Sequence, residues 1–282
     1  MLLLTGHAVG TMQDSVPRRT PVRAGEYWVL SGDFHVHAFP GDGALVPWSL
    51  RRHAQHAGLD VFAITNHNQT LAGRIVRRWP GSPEGPIVIV GEEITNPGFH
   101  LIAVGIERPI EWDRPAADLI DAVHAQGGVT IAAHPARQYW DGWDGRALDR
   151  LDGVEVAHPS RHRDSEAARA FDAFYERVRQ RNPDVAAIGS SDFHASPSLA
   201  ACRTYLFARE HSQAGVIDAI RHGRTVAEDA TGRLHGDPEL VGLVETRRPA
   251  GSSDPHPAWR LLSVTCAWMG LLGLVVLGRR ER

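Results

Sequence analysis

The chain has no lysine: all 30 of its basic residues are arginine. That excludes a Schiff-base lysine and a phosphate-loop lysine. Cysteine is nearly absent, with only Cys202 and Cys266, the second in an apolar tail. Neither has C-x-x-C spacing, so neither a disulfide framework nor a thiolate zinc site is supported. There is no G-x-S-x-G and no G-x-G-x-x-G, so no serine-nucleophile elbow or dinucleotide turn is signalled. Charge of one sign is not in excess. The formal net charge is −3, which gives no electrostatic case for nucleic acid. No internal repeat is visible.

What remains is an ordinary globular composition, 43% hydrophobic and 22% charged over 282 residues. That length suits one large α/β barrel-type domain or two small domains. Apolar strand-like runs alternate with helix-like stretches. Strands are predicted over 27–30, 59–65, 87–90, 100–104, 129–133, 154–157, 185–188 and 204–208. Helices are predicted over 48–58, 115–126 and 165–181. Repeated alternation argues for a parallel sheet, open or closed into a barrel.

The main domain is expected over 25–245. Residues 1–24 form an N-terminal segment, read either as the remnant of a secretory signal with Ala8-Val9-Gly10 near its cleavage point or as a frayed terminus. Residues 246–257 are rich in Pro, Gly and Ser and read as a linker. Residues 258–282 form a tail. Within it, Leu261 to Gly278 run for about 18 residues without a charge, long enough to cross a bilayer. A C-terminal hydrophobic helix is therefore expected, as a membrane anchor or a sorting tail. The arginines after it place the C-terminus in the cytosol and the main domain outside the cytoplasm.

Histidine is the abundant chemical residue, 16 in all. Many of these histidines, with several carboxylates, fall just after apolar runs. In order they are Asp33-Phe34-His35-Val36-His37 with Asp42, then His67, Glu93, His100, His134-Pro135, and Asp192-Phe193-His194. His35 and His37 are two apart on extended chain, so both imidazoles leave the same face. Asp192 and His194 repeat that spacing. Glu92 and Glu93 are adjacent and should face opposite ways, leaving one to meet the others. Asp33 is expected to accept the second N–H of a ligand imidazole. Strand ends are where parallel α/β barrels mount chemistry. Imidazole and carboxylate donors together suit Zn, Mn or Fe without choosing among them. Two or three divalent ions are expected. Arg137, Arg203 and His158 follow strand ends or flank these motifs and are candidate substrate contacts.

In order, DFHVH with GDG, ITNH, GEEIT, FHLIAVG, AAHP, GVEV and SSDFH resemble the motifs of the polymerase and histidinol phosphatase (PHP) superfamily. The resemblance spans roughly Gly32 to Ala208, and its wider context is similar to the carbaryl-hydrolase-like branch. It implies a distorted (βα)7 barrel of the α/β class, with up to three metals at the carboxyl ends of the strands. It implies His35, His37, Glu93 and Asp192 around one ion. Glu93 would bridge to a second ion held by His100 and His134. Asp42, His67 and His194 would hold a third. The family usually reads TDH where this chain has Thr65-Asn66-His67, a departure that bears on the third site.

The expected activity is that of a metal-dependent phosphoesterase acting on a small phosphorylated ester, with Glu93, Asp192 and His194 as the catalytic set. The same site would serve a carboxyl- or carbamate-ester hydrolase. A non-catalytic, membrane-tethered binding module is the reading from a different class.

Overall fold

Short apolar runs bounded by turn residues become the strands of one sheet, and amphipathic stretches between them become helices. The structure is a computed structural model and describes residues 1–2, 4–5, 22–78, 85–196, 198–247, 262, 265–266, 268–270 and 272–273. Two compact units result. One is Arg19–Gly251, and the other joins Met1–Arg18 with Ser252–Arg282. In the latter, the described residues other than Met1 are helical. The expected linker beyond Arg247, most of the apolar run 261–278 and most of the expected N-terminal segment lie outside the described residues. Among the described residues no helix is long and apolar enough to cross a membrane.

The larger unit is an α/β fold with a nearly closed sheet. Its strands are β1 (Val22–Ala24), β2 (Tyr27–Asp33), β3 (Val61–Ile64), β4 (Ile87–Asn96), β5 (Phe99–Val104), β6 (Val129–Ala132), β7 (Gly153–Ala157), β8 (Ala186–Gly189), β9 (Arg203–Ala208), β10 (Thr225–Glu228) and β11 (Leu234–Gly236). Their order is β11-β10-β9-β2-β3-β4-β5-β6-β7-β8, with β1 paired to β2. Strand β1 falls among the residues expected to precede the domain, yet it forms an antiparallel ladder with β2 across Gly25-Glu26. The ring is drawn shut by one side chain. Thr204 Oγ1 on β9 donates to the Gly189 carbonyl on β8 and accepts the Gly189 N–H, each at 2.9 Å.

Strand–helix alternation breaks at one point that matters for the site. β4 and β5 form an antiparallel hairpin turned at Pro97-Gly98, because two residues cannot hold a crossover helix. β5 is also antiparallel to β6. β2, β3, β4, β6, β7 and β8 run parallel, while β9 opposes β2. The start of β5 therefore lies at the same rim as the ends of the parallel strands.

The core follows the two-residue period of extended chain. Val61 and Ala63 join Leu30, Ile89, Ile131, Ile188 and Leu206 in one apolar cluster, together with Val216, Ile217 and Ile220 of the helix Gln213–Arg221. Phe62 and Ile64 turn the other way, onto Leu50 and Ala54 of the helix Pro47–His56 and Ala72 and Val76 of the helix Leu71–Arg78. Each such buried Val, Leu, Ile or Phe side chain contributes roughly 1.5–3 kcal/mol.

One core group works against this. Glu92 on β4 is fully buried and accepts the Ile110 N–H at 2.6 Å. Burial pushes its carboxyl up to about 7. A raised carboxyl pKa means the folded chain holds the proton to a higher pH than the unfolded chain. Its contribution is therefore intact at acid pH and lost as pH rises from about 4.5 to about 7. Glu92→Gln is expected to stabilise the protein by about 2–3 kcal/mol at pH 8 and to change little at pH 4.5. Urea midpoints at the two pH values check this. A midpoint at pH 8 no higher than that of the parent chain rejects it.

Candidate metal centre

Each candidate ligand is placed by the element before it. After β2 ends at Asp33, the chain stays extended. Val36 bridges to Phe193 in parallel, and the His37 N–H bonds the Phe193 carbonyl at 2.8 Å. Phe34 and Val36 are buried in apolar clusters, and His35 and His37 take the alternate direction. His67 follows β3, and its backbone pairs with Glu93 on β4. His100 reaches the same rim only because β5 is reversed. His134 and Asp192 follow β6 and β8 with left-handed backbones, φ of 26° and 51°. Non-glycine residues adopt that region only where their surroundings enforce it, most often at functional sites.

The side chains converge in three overlapping sets. In the first, His35 Nε2 lies 3.2 Å from both Glu93 Oε2 and Asp192 Oδ1. His37 Nε2 lies 3.4 Å from the same two oxygens. In the second, the other Glu93 oxygen, Oε1, meets His100 Nδ1 at 2.7 Å and His134 Nε2 at 3.1 Å. In the third, Asp42 meets His37 Nδ1 at 3.1 Å, His67 Nε2 at 3.2 Å and His194 Nε2 at 3.1 Å. All nine sequence-derived candidates thus come together. Glu93 turns Oε1 to the second set and Oε2 to the first, where Oε2 also lies 2.8 Å from His67 Nδ1 of the third.

The fit to a metal rests on what these atoms lack. His35 Nε2, His37 Nε2, Glu93 Oε2 and Asp192 Oδ1 are buried and have no hydrogen-bond partner in the protein. Buried polar atoms are ordinarily paired. Four lone-pair donors from imidazole and carboxylate aimed at one another are the donor set that Zn, Mn or Fe takes.

The supporting groups differ in part from expectation. Asp33 does not orient an imidazole. Its oxygens accept backbone N–H groups of Ser191 at 3.1 Å and Ala200 at 3.0 Å, which tie β2 to the loop after β8. Burial pushes it up to about 6. The orienting carboxylate is Glu155 in the middle of β7, which meets His35 Nδ1 at 3.0 Å and accepts the His134 N–H at 2.6 Å. Glu155 is not among the residues that the sequence singles out. Its signal was an acid inside an otherwise apolar, fully buried strand. Asn66 is 1% exposed and stays out of the three sets. Its amide donates to the Ala38 and Pro40 carbonyls at 2.7 and 2.9 Å, which an aspartate cannot do. It fastens the loop that carries Asp42. That loop is tight: a Cβ on Gly43 would lie 2.2 Å from the His37 backbone.

The electrostatics are those of a cage of opposite charges. Burial alone would lower His35, but Asp192, Glu93 and Glu155 outweigh it and hold the imidazole well above the ordinary histidine value. Burial likewise opposes His37, and the close approach of the Asp192 and Glu93 carboxylates raises it. Glu93 and Asp192 run the other way. Burial would raise each, yet the His35 charge and the imidazoles packed against them hold both well below the carboxylate range.

Of the three candidate substrate contacts, one faces this cup. His158 is buried, and its Nε2 lies 3.5 Å from Asp192 Oδ2. Its Nδ1 accepts the Ser160 N–H at 3.1 Å, so the ring proton belongs on Nε2. Arg203 instead donates to the Ala57 and Ala200 carbonyls at 3.2 and 3.3 Å. Arg137 is exposed and lies over the Trp140 ring at 4.4 Å. Neither is brought into the three sets.

No protein-family model matches the chain. Among curated proteins, the uncharacterized protein MJ1587 of Methanocaldococcus jannaschii is 30% identical over 148 residues, 48% of this chain and 85% of that protein. Among solved structures, a two-domain protein of Bacteroides vulgatus containing a predicted PHP-like metal-dependent phosphoesterase aligns with a TM-score of 0.63. It is 22% identical, over 83% of this chain and 75% of that one. PsfC of Pseudomonas syringae aligns at a TM-score of 0.51 and 17% identity, over 77% and 97% of the two chains. Likeness at this level of identity establishes the fold.

Proposed function

Given that the chain belongs to one family with the Methanocaldococcus protein and has the PHP-type fold, we propose that it is a metal-dependent hydrolase and, more finely, a phosphoesterase. The observation that carries this is the meeting of four buried, unpartnered donor atoms on His35, His37, Glu93 and Asp192. His35, His37, Glu93 and Asp192 would hold one divalent ion, Glu93 with His100 and His134 a second, and Asp42, His67 and His194 a third. Ions held there would act as Lewis acids and lower the pKa of water.

The chain's own residues supply the rest. Glu93 and Asp192 are ionised and already aimed at the ligand imidazoles. Glu155 fixes the ring of His35 from behind, as second carboxylates do for metal-ligating histidines. His158 presents an N–H into the cup, where it would donate to an oxygen of a bound phosphoryl group and stabilise charge that grows there. Neither a thiol nor an amine among the described residues competes as nucleophile. The one described buried thiol, Cys202, is pushed up to about 12 by burial, and the chain has no lysine.

One observation favours a second reading, hydrolysis of carboxyl or carbamic esters on the same ions. No described arginine joins the clustered ligands, so charge complementary to phosphate would come from the metals alone. We also infer a membrane anchor in the tail. Its support is the uncharged run Leu261–Gly278 before Arg279 and Arg280.

The test is elemental analysis of the purified chain followed by assay on p-nitrophenyl phosphate and p-nitrophenyl acetate. Two or three divalent ions per chain are expected, with phosphate turnover lost to chelator and restored by metal. Turnover of the acetate alone would install the second reading. Folded protein that retains no divalent metal, or binds it and turns over neither substrate, would remove the hydrolase.

A further inference from the structure

Two neighbouring helices differ in charge from the other helices of the larger unit. Pro47–His56 and Leu71–Arg78 carry Arg51, Arg52, Arg74, Arg77 and Arg78 and neither aspartate nor glutamate. Each of the other five α-helices described there carries at least one acid. The two lie side by side, because their apolar seams meet the same face of β3. Leu50 and Ala54 of one, and Ala72 and Val76 of the other, pack with Phe62 and Ile64. What they turn outward is one basic surface. Arg52, Arg77 and Arg78 are exposed, and Arg51 and Arg74 are half-buried. Glu107 comes in from the side and pairs with Arg77; the rest of the surface is supplied by the two helices. This positive charge is local, since the chain as a whole stands at −3.

The apolar groups at one end of the surface decide which kind of polyanion it fits. Trp48 and Leu71 stand in the first turns of the two helices, and Phe39 in the loop before the first. All three are exposed. Gln69 donates to the Pro40 carbonyl at 3.0 Å and so joins that loop to the start of the second helix. Trp48 precedes Arg52 by four residues, and Leu71 precedes Arg74 by three and Arg78 by seven. Each helix thus sets an apolar side chain and arginine on one stripe. Arginine for phosphate headgroups, with Trp, Leu and Phe for the boundary with the acyl chains, is the make-up of helices that lie in a membrane surface. About four to eight clustered basic residues are what an anionic bilayer recognises. A nucleic acid would use the arginines but offers Leu71 no apolar layer to enter.

We propose that this surface docks on a bilayer of anionic phospholipid, with the helices Pro47–His56 and Leu71–Arg78 against the headgroups and Phe39, Trp48 and Leu71 dipping below them. The rim that carries the metal ligands then borders the membrane. The proposal stands apart from both the hydrolase and the tail anchor.

The full chain is mixed with vesicles of phosphatidylcholine, or of phosphatidylcholine and phosphatidylglycerol in equal parts, and binding is read by sedimentation. At low salt the parent is expected to bind the anionic vesicles about tenfold more tightly or better, and high salt should bring that preference to about twofold or less. Arg279, Arg280 and Arg282 of the tail are present throughout, so the comparison between variants decides. Arg52→Glu with Arg78→Glu should weaken binding to anionic vesicles about tenfold or more and leave binding to neutral ones unchanged. Arg177→Glu with Arg179→Glu makes the same change of charge on the exposed face of the helix Ser165–Arg179. It should weaken binding about twofold or less.

Where the tail holds all of the protein on both kinds of vesicle, the readout is quenching of tryptophan fluorescence by lipids brominated in the acyl chains. Quenching should be greater on anionic than on neutral vesicles. That excess should disappear in Trp48→Phe and in the Arg52 and Arg78 double variant. Equal losses from the two charge-reversed pairs, or no loss in either readout from Arg52→Glu with Arg78→Glu, overturns the proposal. So does binding to duplex DNA that depends on Arg52 and Arg78 in a chain with no preference for anionic vesicles; that result gives the surface to nucleic acid.

Discussion

Glu93→Gln is expected to leave a folded protein that binds at most one divalent ion and hydrolyses p-nitrophenyl phosphate about 10³-fold more slowly or worse, a loss of about 4 kcal/mol of transition-state stabilisation. The substitution keeps the shape and removes only the charge. What it removes is shared. Oε2 faces His35 and His37 while Oε1 faces His100 and His134. A carboxylate in that position is how two cations are held close enough to act together. The contrast is Asp42, which is 45% exposed and meets only the third set. Asp42→Asn should lower metal content by one ion or less and cost an order of magnitude or less in rate. Elemental analysis of both variants, with thermal unfolding as the check on folding, decides. Parent-level metal in Glu93→Gln means the ligand sets have been drawn wrongly.

Much of this was legible in the sequence, and what was not has a physical reason. His35 and His37 could be placed on one face because extended chain repeats every two residues, and Glu93 was separated from Glu92 by the same rule. Most of the nine candidate ligands were recognisable because they follow an apolar run that has little choice but to be a strand; His100 instead opens one, and Asp42 sits in the Gly41-Asp42-Gly43 turn. Pairing across the fold was not legible. Glu155 reaches His35 over 120 positions of sequence, and nothing local marks the contact. Asp33 was misread for the same reason. Its position suggested an imidazole partner, but β8 delivers the Ser191 N–H to it first. The reversed direction of β5 was written in Pro97-Gly98, yet the prevailing strand–helix alternation hid it. Asn66 is the instructive case. As a departure from TDH it appeared to weaken the third site. In the fold its amide protons hold the loop that brings Asp42 to His67 and His194.

Divalent-metal affinity is expected to fall steeply as pH is lowered from 8 to 6, by up to about 10² per pH unit. The cause lies in the metal-free cage, where protons on His35 and His37 take the place of the cations. Both imidazoles are held above the ordinary histidine value, His35 well above it, by Asp192 and Glu93, with Glu155 adding to His35. Each must give up its proton before it can ligate, and each proton displaced steepens the dependence by one log unit per pH unit. Glu93 and Asp192 are held well below the carboxylate range, so they are ionised throughout and add nothing to the slope. The sign for folding is opposite. A histidine whose folded pKa is raised contributes stability that is complete below about 6.5 and is lost as pH rises through the folded value. The chelator-treated chain should therefore melt at progressively lower temperature between pH 6 and 8, while the metal-loaded chain should fall less, keeping only the part due to Glu92 below about pH 7. Calorimetric titration of zinc in two buffers of different ionisation enthalpy counts the protons. About two released per chain at pH 7 is the expected result. Release of fewer than one, together with an affinity that does not change between pH 6 and 8, would mean that the His35 and His37 nitrogens are not where the metal binds.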